Sequence, residues 1–347
     1  MSKRRIIITL LVLIAMVSSV TVAQAAGKLK PIEPKFAYAS SFVNGMAAIA
    51  DNGKVGYIDT TGKLAYPLQF DGGMVPQDYS PEGIVLGVVN DKYGFYDRKG
   101  KLLFKQEFDF ASGFSEGLAF VSLSGETGYI NTKGKWVIKL KDVGYASRFS
   151  EGMAAIHAGD KVGYVDTKGK IVIKPQFDAG DSFSEGLAAV ALNGKVGFVD
   201  KKGKLAVKAT KYGVDSFHEG LAAFADKEDS KIGFMDKTGK VVIKPQFENS
   251  IMDGKYFSDG LVAVNVGGKW GYADKKGKLV IKPQYDSANN FSEGLAAVSI
   301  KGKFGFIDKK GKLVVPAKYD EVFSFSEGMA AISIDWVYGY IVNPLKK

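Results

Sequence analysis

The chain has 347 residues, 46% of them hydrophobic, a formal charge of +10 and no cysteine. Its apolar content is sufficient to build a large interior, which excludes an intrinsically disordered chain. The lack of cysteine excludes disulfides, a cysteine nucleophile and lipid attachment through an N-terminal Cys, so stability must come from packing.

The first segment differs from the rest. Lys3, Arg4 and Arg5 precede an apolar run from Ile6 to Val17, and Ala23-Gln24-Ala25 follows. A basic start, a short apolar centre and small residues two apart are the parts of a secretory signal peptide. Residues 1–25 are therefore expected to be a leader cleaved after Ala25, with 26–33 as a short linker. The alternative is an uncleaved anchor, since Ile6 to Val22 is nearly long enough to span hydrocarbon. Cleavage removes three basic and no acidic side chains, leaving a mature charge of +7. No later segment approaches a membrane span, and the protein is expected to be secreted, periplasmic or at the cell surface.

From residue 34 to 347 the sequence repeats. Glycines closing an FSEG-type tetrapeptide stand at Gly45, Gly83, Gly117, Gly152, Gly186, Gly220, Gly260, Gly294 and Gly328, most of them 34 residues apart. A second glycine, preceding an aromatic, recurs at Gly56, Gly94, Gly128, Gly163, Gly197, Gly233, Gly271, Gly305 and Gly339. Both series have nine members, which defines nine units.

Phe291 to Tyr319 shows the logic of one unit. GLAAVSI alternates and is rich in small and β-branched residues, predicting a strand. The turn KGK, equivalent to NGK at Asn52 and Asn193, predicts a two-residue hairpin, because Asn-Gly accepts positive φ. FGFID predicts a second strand. Asp308-Lys309-Lys310-Gly311 then predicts a tight turn in which Asp accepts backbone N–H bonds and Gly supplies the left-handed conformation. KLVVPAKY is the third strand. Each unit thus reads as a three-stranded antiparallel meander, and Gly305 between Phe304 and Phe306 leaves room for close packing, expected to be between units.

The segment GKWGYADKKGKLVIKPQYD, Gly268 to Asp286, followed by an FSEGLA-type stretch, resembles the WG-repeat, or KWG-repeat, proteins of bacteria. Only Trp270-Gly271 is a literal Trp-Gly; Val55, Tyr93, Thr127, Val162, Val196, Ile232, Phe304 and Tyr338 stand in elsewhere. The resemblance implies a repetitive all-β architecture and no established common activity. Units of 34 residues with three strands fall short of the four strands and about 40–45 residues of a propeller blade. The expected arrangement is therefore an elongated, solenoid-like array, with a closed propeller-like ring as the alternative. The last unit lacks the Asp-x-x-Gly-Lys turn, which fits a cap. Insertions at Asp71 to Ser80, at Glu228-Asp229 and at Ile251 to Lys255 are candidates for a binding face.

The repeated chemistry favours structure over catalysis. Glu82, Glu116, Glu151, Glu185, Glu219, Glu293 and Glu327, with Asp259 and Asn44, occupy one FSEG position. A glycosidase needs one carboxylate pair in a special environment, and these are equivalent by repetition. Asp59, Asp97, Asp166, Asp200, Asp236, Asp274 and Asp308 offer one ligand per turn, too few for a calcium loop. His157 and His218 lack the company zinc requires. With no GxSxG elbow and no phosphate-binding GxxxxGK[ST], neither an enzyme nor a cofactor is expected. Tyr57, Phe95, Tyr164, Phe198, Phe234, Tyr272 and Phe306 recur at one strand position and predict stacked core rings rather than a ligand platform.

Lysines recur in two rows: Lys54, Lys92, Lys161, Lys195, Lys231, Lys269 and Lys303 after the first turn, and Lys63, Lys101, Lys135, Lys170, Lys204, Lys240, Lys278 and Lys312 after the second. Each row forms a ladder if units stack, either as a solubilising edge or as an electrostatic track for anionic polymers. Lys63, Lys101, Lys170, Lys204, Lys240, Lys278 and Lys312 of the second row, with Trp270, are the candidate binding residues. Export and the scarcity of Arg argue against nucleic acid. The expected function is a non-catalytic scaffold binding a protein or an anionic envelope polymer; the alternative is a protein that binds or degrades polysaccharide.

Overall fold

The computed structural model describes residues 29–346 apart from 72–79, 81, 82, 98, 212, 226, 228–230 and 249–253. The leader 1–25 and most of the insertions lie outside the described residues. Among the described residues every element is a strand, and no helix is long and apolar enough to cross a membrane.

Unit four illustrates how the repeat folds. Met153–Ala158 pairs antiparallel with Lys161–Asp166 in unbroken register, from Met153↔Asp166 to Ala158↔Lys161. In the equivalent hairpin of unit one, Asn52 and Gly53 hold φ of +48° and +73°, the two positive values a type I′ turn requires. At the other end, Asp166 Oδ1 accepts the N–H groups of Lys168 and Lys170 at 2.9 Å each. The third strand, Ile171–Phe177, pairs Tyr164↔Ile173 and Val162↔Phe177. Three residues therefore bulge opposite Gly163, where Pro175 is tolerated because it has no N–H to donate. A Cβ on Gly163 would lie 2.5 Å from the Ile173 carbonyl oxygen. The room left by this glycine is thus filled by the bulge of its own unit, not by a neighbouring unit as expected.

A fourth strand escaped the sequence reading. Tyr145–Ala146 adds to the free edge of Met153–Ala158; two residues carry no periodic signal, and this stretch read as a connection. Among the described residues the strands form nine antiparallel sheets: seven of four strands, one of three and one of two. The meander of three strands is therefore a blade of four, and 34 residues suffice for it.

The nine sheets close into a ring, a β-propeller, rather than the expected open solenoid. The missing third strand of unit nine is supplied by Ile32–Phe36, which pairs with Val337–Val342 as Ile32↔Tyr340 and Phe36↔Tyr338, the register of Ile173 and Phe177 in unit four. The sequence Ile32-Glu33-Pro34-Lys35-Phe36 is a displaced copy of Ile173-Lys174-Pro175-Gln176-Phe177. A Cβ on Gly339 would meet Ile32 O at 2.5 Å, the same clash as at Gly163. The atypical last unit is therefore not a cap, and Ile32 and Glu33, assigned to the linker in sequence, begin the closing strand.

Three contacts join unit four to unit five, and all three recur across the closure. Tyr164 packs on Phe183 with ring centroids 5.1 Å apart, Ser150 Oγ donates to Phe183 O at 2.8 Å, and Gly186 N donates to Glu151 Oε2 at 2.9 Å. Between units nine and one the same roles fall to Tyr340 and Phe42 at 4.8 Å, Ser326 Oγ to Phe42 O at 2.6 Å, and Gly45 N to Glu327 Oε2 at 2.7 Å. The aromatic row expected as core is buried, with Tyr57, Tyr164, Tyr272, Phe95, Phe198, Phe234 and Phe306 at 1% exposure or less. The core consequently lies between blades, where each sheet is covered on both faces.

Candidate functional site

Antiparallel strands send successive turns to opposite faces of the ring. In unit four the FSEG turn opens Met153–Ala158 and the Asp-x-x-Gly-Lys turn closes Lys161–Asp166, so both exit on one face; the NGK hairpins exit on the other. Ion pairs across the first face bear this out: Lys201–Glu151 at 3.3 Å, Lys237–Glu185 at 3.0 Å, Lys275–Glu219 at 3.0 Å and Lys346–Glu293 at 2.7 Å. The FSEG glutamates are therefore interlocks between units. Burial pushes the Glu151 carboxyl up, but the Gly186 N–H and Lys201 outweigh it, and the net shift is downward.

The two lysine rows have different fates. In the first, Lys92, Lys161 and Lys269 pair with Asp109, Asp178 and Asp286 at 2.6 Å, and Lys54 and Lys303 pair with Asp71 and Asp320. Each of these aspartates also accepts an N–H from the hairpin of the next unit, as Asp178 does from Asn193 at 2.7 Å. Lysine and hairpin together hold the Asp178 carboxyl below its usual range. These five lysines tether units and offer little charge to a ligand, whereas the exposed Lys195 and Lys231 make no ion pair among the described residues. In the second row, Lys63, Lys101, Lys135, Lys170, Lys204, Lys240, Lys278 and Lys312 are exposed. Their backbone groups serve the turns, as with the N–H of Lys170 on Asp166 and of Lys312 on Asp308, and no ion pair engages their side chains among the described residues. They surround the FSEG face.

Distances between equivalent atoms in a ring grow with radius, so rows whose members touch across units lie nearest the axis. The two positions before the FSEG phenylalanine meet that test. Asn290 Oδ1 accepts Tyr256 N at 3.3 Å and its Nδ2 donates to Gly254 O at 2.9 Å; Lys255 Nζ reaches Asn289 Oδ1 at 3.4 Å. The outer position of the pair reads Ser40, Ser112 and Ser147 in units one, three and four. Their Oγ atoms accept the N–H groups of Ala48, Phe120 and Ala155 at 2.9–3.0 Å. In units five to nine it reads Asp181, Asp215, Lys255, Asn289 and Phe323. Chemistry thus changes from blade to blade here, within a frame that is otherwise repeated.

Burial, with the charge of Asp215, raises the Asp181 carboxyl; burial also raises Asp215, against the opposing pull of Ser216 N–H and His218. His218 stacks on Tyr256 at 4.0 Å between ring centroids, and His157 packs on Tyr145. Among the described residues no group of three or more His, Asp or Glu is placed to hold a metal ion. Trp270 is half-buried against the core between units seven and eight, with Lys255 Nζ 5.5 Å from its ring centroid. A cleft of about 240 Å³ opens among Lys255, Tyr256, Ser258, Asn289, Asn290 and Ser292.

The sequence reading found the exposed lysines and Trp270 but missed Tyr256, Asn289, Asn290, Asp181 and Asp215. It weighed positions that repeat, whereas these stand out by failing to repeat. Aligning the nine units and seeking polar exceptions would have found them.

The description "WG containing repeat" matches residues 32–54, 56–74, 93–126, 128–161, 163–195, 232–270, 270–304 and 304–335. These segments cover well over half of the chain, which belongs to that family. No curated protein matches. Among solved structures, a eukaryotic initiation factor is 13% identical over 92% of this chain and 93% of its own, with a TM-score of 0.59; that likeness concerns the fold alone. Hsv2 from Kluyveromyces lactis, at 11% identity over 65% of this chain and 89% of its own, has a TM-score of 0.42. Virginiamycin B lyase from Staphylococcus aureus, at 13% identity over 65% and 92%, has one of 0.34. Neither of the last two bears on this protein's activity.

Proposed function

We propose that this member of the WG-repeat family is an exported, non-catalytic ring scaffold that binds an anionic cell-envelope polymer on its FSEG face. One observation carries the reading: the second-row ammonium groups, which make no ion pair among the described residues, lie together on the FSEG face. Second-row lysines surround the FSEG face with exposed ammonium groups, while the opposite face neutralises Lys54, Lys92, Lys161, Lys269 and Lys303 with aspartates. A polymer lying on that face engages several weak cationic sites at once, and linked weak sites gain effective concentration. Such binding is screened as the Debye length falls to about 8 Å at physiological ionic strength.

The test is titration of the full chain with poly(glycerol phosphate) at low and physiological salt. Affinity should fall with salt, and should fall again when Lys170, Lys204, Lys240 and Lys278 are changed to Ser. Changing Lys195 and Lys231 on the other face should leave it nearly unaltered. Equal losses from the two faces, or no dependence on salt, would sink the reading. For export, the mature protein recovered outside the cytoplasm should begin at Ala26.

A further inference from the structure

We infer that the FSEG face docks on an anionic lipid surface, with the second-row lysines on the headgroups and a collar of exposed apolar side chains at the acyl boundary. The inference rests on the basic face proposed above and adds a second partner for it.

Every second-row lysine is followed by a large apolar residue. In six units this is Leu64, Ile171, Leu205, Val241, Leu279 or Leu313, each 37–48% exposed. In unit three it is the half-buried Trp136. Each opens the outer strand of its blade directly after the Asp-x-x-Gly-Lys turn, at the FSEG end. Strand formation does not by itself demand an aliphatic at a solvent-exposed position, since Thr forms strands as well.

The lysines and the apolar residues interleave round the ring. A Cβ on Gly203, the residue before Lys204, would lie 3.2 Å from Ile173, in the strand that Ile171 opens. Gly311, before Lys312, stands in the same relation to Ile281 and the strand of Leu279, again at 3.2 Å. The turn of one unit thus lies against the outer strand of the unit before it, which brings its lysine beside that unit's exposed aliphatic. Unit nine lacks the turn, and there the chain supplies Leu345, 54% exposed and 3.1 Å from the Cβ position of Gly294.

Charge and apolarity together select the partner. A soluble polyanion meets the ammonium groups but leaves the aliphatics in water. A bilayer interface satisfies both: anionic headgroups attract lysines near the surface, lysine stems lie along apolar surface while their heads stay wet, and a shallow apolar band enters the boundary between headgroups and acyl chains. Tryptophan favours the same boundary. The carboxylates of this face are already engaged, Glu151, Glu185, Glu219 and Glu293 by Lys201, Lys237, Lys275 and Lys346, and Asp166 and Asp308 by the N–H groups of their own turns.

Flotation of the full chain with vesicles of phosphatidylcholine and phosphatidylglycerol, and quenching of its tryptophan fluorescence by brominated lipid in those vesicles, test the inference. The chain should partition onto the vesicles, and at physiological salt the combined variant Leu205→Ser, Leu279→Ser and Leu313→Ser should partition about tenfold more weakly. Val266→Ser and Ile300→Ser, which alter exposed aliphatics of the opposite hairpins, should leave partition unaltered. Two tryptophans report orientation, because Trp336 is 68% exposed in a hairpin of the opposite face. Quenching should persist in Trp336→Phe and be largely lost in Trp136→Phe. Thermal melts establish that each variant is folded. Absence of partition onto these vesicles, equal partition of the parent and the combined leucine variant, or quenching that survives Trp136→Phe would overturn the docking. Poly(glycerol phosphate) carries no acyl boundary, so salt-dependent binding of that polymer alongside any of these outcomes removes the lipid surface alone and leaves the basic-face reading standing.

Discussion

Backbone conformation at single positions carries most of the repeat. The FSEG glutamates adopt left-handed φ, from +51° to +54° at Glu116, Glu151, Glu185, Glu219, Glu293 and Glu327, a region that side chains disfavour. The carboxylate bond to the next unit's glycine N–H compensates for that strain, which is why a charged residue recurs where glycine would be easier. The glycine of the aromatic strand has a different reason, since what excludes a side chain there is the bulged third strand. Gly163→Ala should lower stability by about 1–3 kcal/mol, the usual penalty for overpacking, because the obstructing atom, Ile173 O at 2.5 Å, is backbone and cannot rotate away. Gly194→Ala, with nothing within 4 Å of its Cβ and a φ of +73°, meets only conformational strain. Urea denaturation of the two variants should rank Gly163→Ala as the more damaging; the reverse order would mean that the bulge relaxes.

Among the elements, Ile32–Phe36 has the largest consequence for its length. It brings one short segment to a partner some 300 residues away in sequence, and without it Val337–Val342 presents an unpaired edge. Removing residues 29–36 should therefore destabilise the whole ring rather than its ends alone, because the interlocks of Phe42, Ser326 and Glu327 depend on unit nine being held against unit one. Attaching the same eight residues after Lys346 should restore the melting transition. A truncated chain that melts like the parent protein would show that closure adds nothing to stability.

Carboxylates distributed round the molecule give it a defined response to acid. Glu151 and Glu185 are held below their usual 4.5, and Asp71, Asp109, Asp178, Asp286 and Asp320 below 3.8. A depressed folded-state value means that the contribution to stability is full above the ordinary value and is lost as pH falls through the depressed one. The ring should accordingly lose stability below about pH 4. Asp181 and Asp215 act in the opposite sense: raised above 3.8, they favour the fold when protonated, and that contribution disappears as pH rises through their folded-state values. Asp181→Asn should therefore raise the melting temperature at neutral pH and leave it unchanged near pH 3. Calorimetric scans across that range check both signs, and a stabilisation by Asp181→Asn that persists in acid would contradict the electrostatic origin.

The repeat, its turns, the buried aromatic row and the exposed second row of lysines were all legible from residue order. Each depends on neighbours within a few residues: Asn52-Gly53 makes its turn, Asp166 caps its own loop, and Tyr164 sits at a strand position whose side chain points inward. Closure was not legible in that way. It depends on the rotation accumulated over nine units, which no single unit encodes, and on a five-residue strand whose partner is at the other end of the chain. The candidate cleft was hidden for a related reason. Lys255, Tyr256, Asn289 and Asn290 belong to two different units, and only the ring geometry, bringing the innermost positions of adjacent blades within hydrogen-bonding reach, makes one site of them.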